Sequence, residues 1–105
     1  MGLAVKDRLR AKLKGGDTTV RILLAHPMDT GRANNEQGEL IPAHFIQDIR
    51  CWRNKEEILT IKCGTATSRN PYFSFVLAGG ASGDTIMIRW VDNLGAKGKV
   101  ETKVQ

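Results

Sequence analysis

Two histidines and two cysteines are the residues of this 105-residue sequence best suited to chemistry. His26 and His44 lie 18 positions apart, and neither Cys-x-x-Cys nor His-x-x-x-His occurs. Zinc sites usually pair ligands two to five residues apart, because a tight turn or one helical turn then presets two bonds. The spacing therefore favours ordinary strand-end histidines that are hydrogen-bonded to the backbone. A metal site would require both histidines to converge in space with a distant cysteine, and we predict none.

The two cysteines are predicted to lie on adjacent antiparallel strands joined by a three-residue turn at 54–56. In that register Cys51 faces Leu59 and Cys63 faces Gln47, so the thiols are offset by about 13 Å along the strand. A disulfide needs Cα atoms within about 7 Å of each other. We therefore expect two separate thiols that pack as small hydrophobic groups. Cys63, at the end of its strand, is the better of the two candidates for a nucleophile.

Alternation of apolar and polar residues runs through nearly the whole chain, and helical periodicity is absent. The pattern predicts seven strands, linked by five short turns and one long connection. They span residues 5–14, 18–26, 43–53, 57–63, 71–77 and 84–92, with a last strand that carries Val100, Thr102 and Val104. Seven such strands in about 100 residues are typical of an immunoglobulin-like or fibronectin type III-like β-sandwich. We predict that all-β fold, with residues 1–105 as a single domain and a small closed barrel as the alternative.

A net charge of +5 and a pI near 9.6 raise the question of nucleic-acid binding. The basic residues alternate at both ends of the chain: Lys6, Arg8, Arg10, Lys12, Lys14, Lys99 and Lys103. Such alternation is typical of the solvated face of an antiparallel strand, and on an edge strand it deters aggregation. Surfaces that bind RNA or single-stranded DNA interleave aromatic residues with the cations, whereas the aromatic residues here alternate inward. We therefore expect no nucleic-acid binding.

The sequence also lacks signals for membranes and export. No apolar stretch approaches the roughly 20 residues of a membrane-spanning helix. The first residues, MGLAVKDRLRAKLKGG, are interrupted by charges and lack the apolar core of a signal peptide. We therefore expect no membrane insertion and no export signal of the chain's own.

Alternating strand directions bring the ends of the second, fourth and sixth strands to one end of the sandwich. That end would gather segments 26–31, 68–72 and 91–95, while the plain turns near Gly16, Asn54 and Gly80 lie opposite. We predict that partner recognition involves the first end or the sheet edge beside it. The candidate contact residues are His26, Pro27, Met28, Asn70, Pro71, Asp92 and Asn93, together with Trp52 on the face opposite Phe45, Ile49 and Cys51.

Five segments, in order along the chain, resemble one known family. They are RILLAHPMDTG (21–31), LIPAHFI (40–46), NPYFSF (70–75), GD (83–84) and WVDNLG (90–95). Together they resemble SoxZ, a subunit of the bacterial thiosulfate-oxidation (Sox) sulfur carrier complex, over residues 6–104. Five ordered segments are a specific match, and the resemblance agrees with the sandwich inferred from alternation.

The resemblance implies a non-catalytic subunit that forms a heterodimer with SoxY. The C-terminal Gly-Gly-Cys-Gly-Gly arm of SoxY carries sulfur intermediates covalently between Sox enzymes, which would contact this chain only transiently through SoxY. The ending KVETKVQ has neither a cysteine nor a glycine arm, so it matches SoxZ and not SoxY. The family also implies no catalytic residue, metal or cofactor, and a periplasmic location reached by co-export with a signal-bearing SoxY.

The two cysteines depart from the family pattern, and an exposed one could take up sulfane sulfur. The alternative function is therefore a thiol- or metal-dependent sulfur transferase that uses Cys63, His26 or His44.

Overall fold

The computed structural model describes residues 6–105, so the predicted strand start at Val5 lies outside the described residues. Seven β-strands form, and no helix occurs within the described range. The strands are β1 (Arg8–Lys14), β2 (Asp17–Leu23), β3 (Ile46–Arg53), β4 (Glu56–Lys62), β5 (Tyr72–Leu77), β6 (Thr85–Asp92) and β7 (Lys97–Lys103). Apolar–polar alternation therefore identified every strand, and its boundaries are wrong by at most a few residues.

The strands form two antiparallel sheets with the orders β1-β2-β5 and β4-β3-β6-β7. One buried core contains residues of both sheets, which confirms the predicted β-sandwich. Along one side the sheets are joined beyond β7, where Gln105 donates its amide hydrogen to the Ala11 carbonyl at 3.0 Å and Leu13 donates to the Gln105 carbonyl at 2.9 Å. These two hydrogen bonds connect the two sheets along one side. Such a connection is what the closed barrel, our alternative prediction, would have on both sides.

Most of the core consists of the inward-facing residues that the alternation predicts. Val20 and Ile22 of β2 are fully buried, as are Ile86 and Ile88 of β6. Each such side chain contributes about 1.5–3 kcal/mol when it is removed from water. The phenylalanines of β5 pack at the margin of this core and stay half-buried.

The start of β3 departs from the predicted alternation. A register shift between Ile46 and Asp48 interrupts the pairing of β3 with β6. As a result Ile46 is fully buried, whereas Phe45, which we expected to point inward, is only half-buried against the core. A bulge turns an extra residue toward the same face, which simple alternation cannot show.

The hairpin between β3 and β4 corrects one prediction and confirms another. Its turn has two residues, Asn54 and Lys55, both with positive φ, instead of the three expected. A two-residue turn of this kind matches the right-handed twist of the strands. A register shift between Cys51 and Trp52 compensates for the shorter turn, so Cys51 still faces Leu59 as predicted.

The long connection between β2 and β3 folds back on itself. Isolated bridges join Asp29 to His44 and Asn34 to Leu40. At its tip the Asn35 side chain accepts hydrogen bonds from the amides of Gln37 and Glu39 at 2.9 and 3.0 Å. The segment 32–40 is exposed throughout, so it forms a hairpin-like projection.

Candidate functional site

The connections that follow β2, β4 and β6 meet at one end of the sandwich, as the strand directions predicted. We call this the loop end and define it as residues 24–45, 63–72 and 92–96. His26 donates its amide hydrogen to Asn70 Oδ1 at 3.0 Å, and Asn70 donates to the His26 carbonyl at 2.9 Å. Asn93 Oδ1 accepts from the Phe45 amide at 2.8 Å, while its Nδ2 donates to the Ala43 carbonyl at 2.9 Å. Hydrogen bonds thus connect all three segments.

Asp92 lies at the centre of the loop end, and its side chain is completely buried. Its Oδ2 is 3.0 Å from His26 Nε2 and 2.8 Å from His44 Nε2. Its Oδ1 accepts hydrogen bonds from the amides of Leu94 at 3.0 Å and Ala96 at 2.9 Å. Burial by itself raises the pKa of Asp92, but these hydrogen bonds outweigh it and lower the pKa to about 2. The carboxylate is therefore ionised at neutral pH and holds two histidines and a turn in place.

The hydrogen bonds of His26 determine which ring nitrogen carries its proton. The Met28 amide donates to Nδ1 at 3.1 Å, so the lone pair of Nδ1 is engaged as an acceptor. The neutral ring then has its proton on Nε2, where it donates to Asp92. His44 packs edge-on against His26 with ring centroids 4.6 Å apart, and its side chain keeps 32% exposure.

His26, His44 and Asp92 place three possible metal-ligand atoms within 4.8 Å of one another. A metal ion would need the lone pair of His26 Nε2, which would move the ring proton to Nδ1. The Met28 amide already points its hydrogen at Nδ1. A proton on Nδ1 would therefore face the amide hydrogen of Met28, and neither nitrogen could accept the hydrogen bond. The geometry therefore fits a hydrogen-bonded His–Asp–His cluster better than a metal centre.

This cluster corrects the prediction of two histidines bonded to the backbone. Among residues 6–105, Nδ1 of His26 is the only ring nitrogen of the two histidines with a backbone partner, and both Nε2 atoms contact a side chain. Asp92 was selected from the sequence only as a partner contact. Its separation of 66 residues from His26 left no local signal for the pairing.

The cysteines are free, as predicted. Cys51 is buried, and burial raises its pKa to about 11. Cys63 is half-buried, and burial together with the nearby Asp48 carboxylate raises its pKa, partly offset by a hydrogen bond with Thr67. A reactive cysteine needs a lowered pKa. Neither environment therefore supports the thiol-dependent transferase alternative.

The eight candidate contact residues differ in exposure. Four of them are buried: His26, Met28, Pro71 and Asp92. The other four are half-buried: Pro27, Trp52, Asn70 and Asn93. Burial gives the first four a positioning role at the loop end or the start of β5. Contact with a partner stays a prediction for all eight.

Sequence reasoning overlooked the apolar groups that the loop end exposes. Among the described residues, the large exposed apolar side chains are Leu40 (61%), Tyr72 (59%), Val76 (63%) and Leu94 (64%). All except Val76 belong to the loop end. Tyr72 and Leu94 directly follow Pro71 and Asn93. An apolar residue next to a strand-breaking or turn residue could have predicted these exposed side chains from the sequence.

Fold and site together define a small β-sandwich protein whose loop end is braced by a buried His–Asp–His cluster and exposes apolar side chains. The chain belongs to the SoxZ family, because the family model described as "Sulphur oxidation protein SoxZ" matches residues 5–103. It is therefore a component of the Sox system of sulfur oxidation. A sequence comparison with curated proteins gives no match. Within residues 6–105, no helix is long and apolar enough to cross a membrane.

Proposed function

We propose that the protein is the non-catalytic subunit of a SoxYZ sulfur carrier complex. It binds SoxY and holds it so that the C-terminal cysteine of SoxY can carry covalent sulfur intermediates during thiosulfate oxidation. The complex works in the periplasm, which this chain reaches by co-export with a signal-bearing SoxY. Other Sox enzymes meet the chain transiently, through SoxY.

The observation that carries this proposal is the exposure of Leu40, Tyr72 and Leu94 at one end of a SoxZ-family domain. Exposed apolar groups gain free energy when a partner covers them, at about 25 cal/mol per Å² removed from water. Scattered single groups need no explanation, but three large apolar side chains on segments of the same end of the sandwich favour an interaction site there.

Hydrogen bonds also hold the segments that carry Tyr72 and Leu94 in place before any partner binds. The Leu94 amide donates to Asp92, so the turn that carries Leu94 is fixed by the buried cluster. The segment before Tyr72 is fixed by the hydrogen bonds between Asn70 and His26. A surface that is already ordered loses less entropy on association, so the cluster favours binding without contacting the partner.

Co-expression with SoxY and purification through a tag on SoxY tests the proposal. We expect recovery of both chains at a 1:1 ratio, and no thiosulfate-dependent turnover by the isolated chain. A variant with Leu40→Ser, Tyr72→Ser and Leu94→Ser should bind SoxY at least about tenfold more weakly, because interface energy is concentrated in a few apolar groups.

Val76→Ser provides the matched control, since Val76 is equally exposed but lies on β5 beyond the loop end. Its affinity for SoxY should change less than about twofold. A chain that stays monomeric in the presence of SoxY would contradict the proposal. Equal losses in the triple variant and in Val76→Ser would remove the assignment to the loop end.

A further inference from the structure

Three cations form a row across the outer face of the four-stranded sheet. Strand register places Arg50 of β3 opposite Arg89 of β6, and Arg89 opposite Lys99 of β7. All three residues are exposed. Like charges directly opposite each other destabilise a sheet, so this arrangement is unfavourable for folding alone. We call these three residues the cationic row.

Nearby carboxylates neutralise the cationic row only at one end. Arg50 is 3.8 Å from Glu57, and the Asp48 carboxylate is held by Lys62 at 2.7 Å. Across residues 6–105, no carboxylate lies within ion-pair distance of Arg89 or Lys99. The middle and far end of the row therefore present uncompensated positive charge.

Protection of a sheet edge can explain Lys99, which lies on the edge strand β7, but not the other two cations of the row. On the other sheet, Arg10 and Lys12 belong to β1, which is an edge strand, and edge cations deter strand-to-strand aggregation. Arg50 and Arg89 belong to β3 and β6, the two central strands of their sheet. Central strands have no free edge, so edge protection is not the reason for cations there.

The surface around the cationic row carries two residue types, tryptophan and arginine, that are common at protein interfaces. The guanidinium of Arg89 lies 5.5 Å from the centroid of the Trp52 ring. A groove of about 590 Å³ runs beside this pair, with Trp90 and Val91 among its lining residues. Tryptophan and arginine are enriched at protein interfaces and among the residues that contribute most to binding.

The carboxylates around the row indicate which anion fits. Register places Glu57 and Glu101 at the two ends of the neighbouring row, whose centre is Trp52 and Met87. A continuous phosphate backbone that left the cationic row in that direction would meet these negative charges. A compact group of carboxylates on a folded partner would not. We propose that the cationic row, with Trp52, docks an acidic patch of a partner protein, on a surface separate from the loop end.

The test uses the full chain and, as probe, a peptide of alternating Glu and Ser. Titration of the isotope-labelled chain, followed by NMR, should shift the signals of Arg50, Arg89 and the Trp52 indole first. Affinity should fall steeply as salt rises toward physiological strength, because exposed charges are screened over about 8–10 Å. The variant Arg50→Gln, Arg89→Gln, Lys99→Gln should weaken the affinity at least about tenfold.

The variant Arg8→Gln, Arg10→Gln, Lys12→Gln is the matched control, since it removes the same charge from β1, the edge strand of the other sheet. It should change the affinity less than about twofold. Absence of binding, or equal losses in both variants, would overturn the proposal. Tighter binding of a thymidine oligonucleotide at the same residues would assign the face to nucleic acid, and saturable binding of thiosulfate alone would assign it to a small anion. Either result would overturn the acidic-protein assignment.

Discussion

The two ends of the sandwich each use an aspartate to hold a turn, but in opposite environments. At the turn end, defined as residues 15–16, 54–55 and 78–84, Asp84 accepts hydrogen bonds from Asn54 Nδ2 at 3.0 Å and the Ala81 amide at 2.8 Å. At the loop end, Asp92 accepts from two histidines and two amides while it is buried. Hydrogen bonds lower the pKa of both carboxyls. Water can replace the partners of Asp84 but not those of Asp92, so burial determines how much each aspartate matters.

The largest expected effect is that of Asp92→Ala. It leaves two imidazoles and the amides of Leu94 and Ala96 without their acceptor, and the His26 ring among them is shielded from water. We expect a loss of about 3–5 kcal/mol in the free energy of unfolding, measured by urea denaturation. Asp84→Ala is the control at the turn end and should shift the denaturation midpoint far less. Equal shifts for the two variants would show that burial does not separate the two ends.

The loop end and the turn end each contain a non-glycine residue with a strained, positive-φ backbone. Met28 at the loop end and Lys55 at the turn end both have positive φ, at 51° and 72°. Glycine relieves such strain, but the Met28 side chain is buried and its Sδ lies 3.3 Å from the Ile46 amide. We expect Met28→Gly to lower the free energy of unfolding by about 2–3 kcal/mol, because lost packing exceeds the relief. Circular dichroism melting, with Met28→Leu as a packing-conserving control, measures this loss.

Acid should weaken the loop end only when the pH falls below about 3.8. The pKa of Asp92 is lowered from 3.8 to about 2, so the folded state favours the ionised carboxylate. This contribution is complete above pH 3.8 and is lost as the pH falls from there toward about 2. Its size is about 2 kcal/mol, from 1.36 kcal/mol per pKa unit.

Urea denaturation at several pH values below 5, compared between the wild type and Asp92→Asn, isolates that contribution. The stability difference between the two chains should shrink as the pH approaches about 2. A difference that stays constant over this range would show that Asp92 titrates alike in the folded and unfolded chains.

The smallest expected effect is a gain in stability at the turn end. Lys55 has a positive φ, which glycine adopts without strain because it has no Cβ. The exposed lysine side chain contributes little packing, so Lys55→Gly loses little. We expect the free energy of unfolding to rise by about 0.5–1 kcal/mol. A higher melting temperature for Lys55→Gly beside a lower one for Met28→Gly would sharpen the contrast. A loss in both would assign a hidden packing role to Lys55.

Much of the turn end could be predicted from the sequence, because its structure follows from local patterns. The hairpin at Gly15–Gly16 and the alternation on either side of it were both visible in the residue order. The exact turn at Asn54–Lys55 was not, since a bulge after Cys51 conceals the change in length. A bulge depends on how two strands pair, so one strand's sequence does not reveal it.

The sequence by itself determined the seven strands, the inward-facing apolar residues, the separate thiols and the meeting of three loops at one end. Each follows from two-residue periodicity and alternating strand direction, which act over short distances along the chain. Only the tertiary structure decided that Asp92 binds both histidines, and that Arg50, Arg89 and Lys99 stand in one row. Both arrangements join residues that are far apart in sequence. Strand register places the three cations, and burial selects the partners of Asp92, because a buried charge must find its partners inside the fold.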